Sequence, residues 1–422
     1  MQHGNGTGVR LAAAFSALAL AAVIIVVLAA PAGVSLADRG PAASAAARTT
    51  MRGWGSNTDG ELGHGNRSPL SNTPVTVRVP PGAVVTSVRA ACDHSVALTS
   101  TGRVLTWGAD NWGQLGNGTT ASRAKPGYAK LPKGAKIKAV RAGCEDTIAL
   151  TTTGRVLDWG LGVEGQLGNG SMSSRHVPVY VRLPKHTKIT AISAGCHFNL
   201  ALTRSGKVLA WGQDLEGELG NGHLQDRDVP VQVRLPSGAH ATAVTAGCLH
   251  AFAITRMGLF GWGDDDEGQL GDGSTSNAVK TPEEITFLTR GHPLGTITDL
   301  YAGCYHTIAL FSGGGVLTWG YNIYGQLGNG TTTSSDKPVG VMLPSGVTIK
   351  AVSASCDASY ALTTQGEVLA WGNNQQGQLG DNEGISTDVP MKVALPANLA
   401  ITALGAGPSA NHAFVIARAS SG

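Results

Sequence analysis

The sequence predicts an all-β fold: a seven-bladed β-propeller of four-stranded antiparallel blades, closed by pairing the N-terminal strand with the last blade. Trp-Gly pairs begin at Trp54, Trp107, Trp159, Trp211, Trp262, Trp319 and Trp371, 51–57 residues apart. Cysteine keeps step at Cys92, Cys144, Cys196, Cys248, Cys304 and Cys356, 52–56 residues apart. Two independent markers with one period identify an internal repeat. Within each unit, short alternating apolar runs lie between glycine-rich turns, which is the pattern of strands and hairpins.

The elements follow in order. Residues 11–30 form an unbroken apolar run after Arg10, and Ser35-Leu36-Ala37 offers a small-residue cleavage site. Residues 1–37 therefore read as a secretory signal peptide or, uncleaved, a membrane anchor. Either outcome places the rest of the chain outside the cell or on its surface. Residues 38–48 are a small-residue linker, 49–418 the propeller and 419–422 a tail. One unit runs from Gly108 to Trp159. GQLGNG (113–118) is a turn, 126–132 a strand bounded by prolines, 136–142 and 147–151 two further strands, and 155–159 the fourth. A lone sheet of this size cannot bury both faces, so it must stack on neighbours. The chain opens on a fourth strand (49–54) and closes on a second and third (401–404 and 412–417), so the opening strand completes the closing blade.

Composition narrows function. The chain has 59 glycines, 14% charged residues and a formal charge of +3. It lacks the concentrated basic surface that phosphate binding needs, so nucleic acid is not an expected partner. No nucleophile elbow, zinc-protease helix, Walker loop or kinase signature is present. Gly160–Gly165 fits a dinucleotide fingerprint, yet it opens a turn rather than a helix, and Gly162 only replaces the Asn or Asp of the other units.

The run Ala302-Gly-Cys-Tyr-His-Thr-Ile-Ala-Leu310, then Gly315-Val-Leu-Thr-Trp-Gly320, Asn322 and Gly325-Gln-Leu-Gly-Asn-Gly330 resembles the regulator of chromosome condensation repeat family. The signature recurs in all seven units, with the seventh degenerate and split between the termini. The resemblance implies a seven-bladed ring. Read with the leader, it implies an exported bacterial-type member that binds a protein through one loop face. Two other readings stay open: a guanine-nucleotide exchange-type regulator of a GTPase, and a carbohydrate- or cell-wall-binding module or lyase.

The seven tryptophans read as inter-blade packing. The third residue after each (Asn57, Asp110, Gly162, Asp214, Asp265, Asn322, Asn374) reads as a turn former. His94, His250, His306 and His412 share one slot, where other units carry Asp146, Phe198 and Ala358; they read as hydrogen-bonded structural residues, with no metal. The cysteines read as small buried residues, or as bridges Cys92–Cys144, Cys196–Cys248 and Cys304–Cys356 if their strands line the axis. Binding is expected at the variable slots of the W-G-x-[ND]-x-x-G loop: Trp112, Leu161, Val163, Leu215, Asp264, Asp266, Glu267, Tyr321, Ile323 and Tyr324. The insertion at 280–292 is a second candidate contact. The expectation is a monomeric, non-catalytic ring without a cofactor. It meets an unidentified protein ligand, and a membrane only if the leader stays.

Overall fold

Proline decides which strand of each blade is outermost. A computed structural model describes residues 49–288 and 292–419, and among these the chain forms seven four-stranded antiparallel sheets. In the first complete blade the strands run, from the axis outward, Val85–Ala90, His94–Thr99, Val104–Gly108 and Arg123–Tyr128. The fourth strand of every blade holds a proline: Pro74, Pro126, Pro178, Pro230, Pro282, Pro338 or Pro390. Proline has no N–H to give a ladder and so belongs on an edge. There it also discourages pairing with another chain.

This corrects the expected framing of the unit. The proline-bearing strand is Arg123–Tyr128 rather than 126–132, and it pairs with the preceding Trp-Gly strand rather than opening the next blade. Closure shifts with it. The last blade takes two strands from each end: Leu399–Gly405 and His412–Ala419, then Thr49–Ser56 and Leu70–Thr76. Thr49 pairs with Arg418 and Gly55 with His412, so the ring is sealed by a full-length antiparallel ladder. The apolar run 11–30 and the 38–48 linker lie outside the described residues.

Counting blades from the one containing Trp107 as blade 1 puts Trp54 in blade 7. All seven tryptophans are fully buried between blades. Each indole N–H donates to the backbone carbonyl of the Gln or Glu in the G-[QE]-L-G turn of the preceding blade, as in Trp159 to Gln114 (2.9 Å) and Trp371 to Gln326 (2.9 Å). Burying so large a side chain with its one polar atom satisfied makes it the chief weld between sheets.

The histidine slot belongs to the same weld. His94 Nε2 meets Thr147 Oγ1 of the next blade at 2.9 Å, and that hydroxyl donates to the Gln114 carbonyl at 3.0 Å. His306 and Ser359 repeat this with Gln326, His250 and Thr307 with Gln269, and His412 and Ser95 with Glu61. The exceptions come in matched pairs. Asp146 faces Asn199, which donates to its Oδ2 at 2.9 Å. Phe198 is followed one blade on by Ala251, and Ala358 by Ala413; at that last junction Tyr360 Oη donates to the Gln378 carbonyl instead. The structural reading of these histidines is therefore the one the geometry supports.

Candidate functional site

The direction of the strands sorts the loops onto two faces. The turn after each inner strand, which carries the cysteine, and the long W-G-x-[ND]-x-x-G loop emerge on one face; the short hairpins such as 100–103 and the linkers such as 129–136 emerge on the other. The face bearing the cysteine turns and long loops holds the variable slots of the W-G-x-[ND]-x-x-G loop, so it is the candidate interface, while the insertion belongs to the linkers of the other face.

Each long loop is held by its own backbone and side chains. The second residue after Trp donates its N–H to the carbonyl of the residue following the cysteine position. Examples are Leu161 to Glu145 (2.9 Å), Asp264 to Leu249 (2.9 Å) and Tyr321 to Tyr305 (2.8 Å). The third residue is the expected turn former: Oδ1 of Asp110, Asp214, Asp265, Asn322 and Asn374 accepts the N–H five residues on, at 2.7–3.0 Å. The N–H of the fifth residue is bound by the Gln or Glu two residues later, as in Trp112 to Gln114 Oε1 (2.9 Å) and Tyr324 to Gln326 Oε1 (3.0 Å). Only the fourth residue is left pointing outward in every blade: Thr58, Asn111, Val163, Leu215, Asp266, Ile323 and Gln375 are all exposed.

This geometry divides the predicted binding residues. Leu215 (62% exposed), Val163 (55%), Ile323 (50%) and Trp112 (44%) are the apolar side chains on the surface, with Asp266 beside them. Glu267, Tyr321 and Tyr324 are half-buried. Leu161 and Asp264 are buried and leave the candidate interface, while Tyr321, in the same slot and with the same N–H tie to the cysteine turn, stays half-buried. Burial pushes the Asp264 carboxyl up to about 6. In the insertion, Ile285 and Leu288 anchor the segment in the core while Phe287 stays 44% exposed, with Lys337 Nζ 5.7 Å from its ring centre. Residues 289–291 of that insertion lie outside the described set.

A second variable ring escaped the sequence reading. The residue after each cysteine lies between the axis and the long loops: Asp93, Glu145, His197, Leu249, Tyr305 and Asp357. Tyr305 packs edge-on with Tyr321 (6.1 Å between ring centres), which packs edge-on with Tyr324 (6.4 Å), giving blade 5 a three-tyrosine patch. His197 Nδ1 lies 3.2 Å from Glu164 and 3.7 Å from Glu145, tying blade 3 to blade 2 across the face. Asp93 joins Asp59 and Glu61 in a cluster of three acids. Burial raises Glu61 to about 7 and Asp93 to about 6. The signal for this ring was variability at one fixed offset from cysteine.

At the centre of the face the cysteines gather around the axis, as the axial alternative required. The bridge in the structure joins Cys248 to Cys304. That pairing excludes the expected Cys196–Cys248 and Cys304–Cys356 bridges while it lasts, since each sulfur makes one such bond. Cys92 and Cys144 are unbonded, with Sγ atoms 2.7 Å apart.

Comparison with known proteins agrees with this architecture. The RCC1-like domain family matches residues 50–415. The ultraviolet-B receptor UVR8 of Arabidopsis thaliana is 32% identical over 339 residues, which are 80% of this chain and 76% of the receptor. The human E3 ubiquitin-protein ligase HERC2 is 34% identical over 259 residues, 61% of this chain but 5% of the ligase. Among solved structures, human WBSCR16 superposes with a TM-score of 0.77 at 20% identity, covering 88% of this chain and 99% of its own. Prp20p from Saccharomyces cerevisiae, described with its binding properties to Gsp1p and histones, superposes with a TM-score of 0.77 at 22% identity, covering 89% of this chain and 92% of its own. At such identities the superpositions speak to the fold, while the sequence match over nearly the whole ring establishes kinship: this chain belongs to the RCC1-like domain family.

Proposed function

We propose that this chain is an exported, non-catalytic binding ring that grips a protein partner across its cysteine-bearing loop face. The observation that carries the reading is the set of outward side chains on the long loops. Seven rigid turns each present at least one, and three consecutive blades present Trp112, Val163 and Leu215, each at least 44% exposed. Apolar and aromatic anchors inside a polar surround are the composition of a binding hot spot. Because the turns are already held by Asx and Gln side chains, little ordering entropy is lost on docking. The tyrosine patch of blade 5 and Ile323 supply a second anchor on the same face. Family membership is consistent with such a role, since Prp20p is described as a binder of Gsp1p and histones. Export rests on the leader-like residues 1–37.

The test is affinity capture from culture supernatant with the full chain as bait, followed by titration of the captured protein. Trp112→Ala and Leu215→Asp should each weaken binding at least tenfold, while Met257→Asp, in a short hairpin on the opposite face, should not. Retention of full affinity by both loop variants refutes the choice of face. N-terminal sequencing of the protein recovered from medium should begin near Asp38; recovery only from the cytosol overturns export.

A further inference from the structure

The six cysteines form a crown at the mouth of the axis. Backbone bonds between successive turns hold it: Cys144 N to Cys196 O (3.0 Å), Cys196 N to Cys248 O (3.2 Å) and Cys304 N to Cys356 O (3.2 Å). Cys92 and Cys144 Sγ lie 2.7 Å apart, Cys144 and Cys196 Sγ 2.8 Å, and Cys248 is bonded to Cys304. The seventh turn has no cysteine. It is longer, and Pro408 reaches across so that its carbonyl lies 3.6 Å from Cys248 Sγ. The crown is therefore an open row of six, in which Cys92 and Cys356 stand at the ends and are half-exposed, while the four between them are buried.

We propose that this row is a thiol–disulfide exchange site in which a disulfide is passed from blade to blade, with small-molecule or protein thiols and disulfides as its substrates. Cys144 Sγ is the decisive atom. It stands almost equally close to a sulfur on either side, so it can exchange with either neighbour. The thiolate of Cys92 attacks Cys144 Sγ of a Cys144–Cys196 bridge. The 92–144 bond forms, the 144–196 bond breaks, and the electron pair leaves on Cys196 Sγ. That thiolate takes a proton or attacks Cys248, releasing Cys304 from the bridge seen in the structure. Each hop conserves the number of disulfides. New ones enter by exchange with a small-molecule disulfide: two cysteine thiols become one bridge and the reagent leaves as two thiols. Entry is at the half-exposed ends. Contacts with the Cys144 and Cys196 sulfurs hold the Cys92 thiol well below its usual range, which favours Cys92 as the first nucleophile. An even, open row has one pairing that uses all six sulfurs: 92–144, 196–248 and 304–356. With a single bridge it has five adjacent positions, of which the structure occupies one.

The experiment uses the full chain, reduced and then given one equivalent of oxidised glutathione, with acid quenching, alkylation and mass-spectrometric mapping over time. Glutathione should appear first on Cys92 and Cys356, and single bridges should then spread over adjacent pairs and the neighbouring Cys92–Cys196 pair only. Cys144→Ser combined with Cys196→Ser should slow the loss of glutathione from Cys92 at least tenfold and leave Cys356 unaffected; Cys304→Ser should do the reverse. Circular dichroism confirms that both variants keep the ring. The proposal is overturned by one bridge that forms in a fixed pair and never moves. It is equally overturned if neither variant changes its end of the row, if all six thiols stay free, or if a soft metal ion copurifies at stoichiometric level and blocks exchange.

Discussion

Two junctions between blades use the same scaffold for opposite electrostatic ends. Between blades 1 and 2, His94 and Thr147 meet over the Gln114 carbonyl. Between blades 2 and 3, the same places hold Asp146 and Asn199 over the Gln166 carbonyl, and a second buried acid, Asp158, also accepts from Asn199 at 3.2 Å. The indole N–H and the turn carbonyl never change: Trp211 donates to Gln166 (2.8 Å) as Trp159 does to Gln114. What varies is a donor–acceptor pair that must match across the gap. His goes with Ser or Thr, Asp with Asn, and an apolar residue with Ala. A buried polar atom without its partner costs about 1–3 kcal/mol, so neither half can drift alone.

The two junctions should respond oppositely to pH. Burial lowers His94 and His306 to about 4, and His250 and His412 to about 3. Below about 6.5 the unfolded chain binds protons that the folded ring refuses, so these junctions lose stability as pH falls from there toward 4. Burial raises Asp146 to about 7 and pushes Asp158 up, further lifted by the neighbouring Asp146. Here the folded ring keeps protons that the unfolded chain gives up near pH 4. The acidic junction is strongest in acid and loses stability as pH rises from there to about 7.

The largest effect should come from Asn199→Ala, which strips both acids and one carbonyl of their shared donor. Unfolding in urea should show a loss of about 3 kcal/mol. Asp158→Asn should remove much of the decline above pH 4, leaving the variant about 1–2 kcal/mol more stable than the parent at pH 8; a profile that still falls as steeply would mean that other raised carboxyls, such as Glu218 and Asp265, dominate. At the histidine junction, Thr147→Val should cost about 1 kcal/mol, because Gln114 keeps its indole donor. Smallest of all, Leu215→Asp should move stability by no more than about 0.5 kcal/mol, since the side chain meets water in the free ring. Melting curves at one pH check both.

The pairing rule was within reach of the sequence but invisible inside one unit. His94 and Thr147, Asp146 and Asn199, and Phe198 and Ala251 are each 53 positions apart, one period plus one. Read along a single repeat, Asp146 and Phe198 look like lapses from histidine; read across the offset, each is answered. The edge strand misled for a related reason. Its proline recurs with the same period as tryptophan, yet a proline bounds a strand as readily as it sits within an edge strand. Only the ladder to the Trp-Gly strand, such as Leu105 of Val104–Gly108 paired with Tyr128, decided which sheet owned it. At the rim, Leu161 and Val163 are indistinguishable as apolar loop residues. Only the folded loop, with Leu161 N bonded to Glu145 O, shows that one is buried and the other exposed.

By itself the sequence determined the all-β class, the number of blades, the tryptophan welds and the turn chemistry, because these repeat sevenfold and depend on residue type at a local spacing. Tertiary structure decided how many strands each end gives to the closing blade, the partners across each junction, the exposed member of each loop and the convergence of six distant cysteines on one axis. These depend largely on contacts between blades, whose residues lie far apart in the chain, and stacking in a closed ring is what brings such residues together.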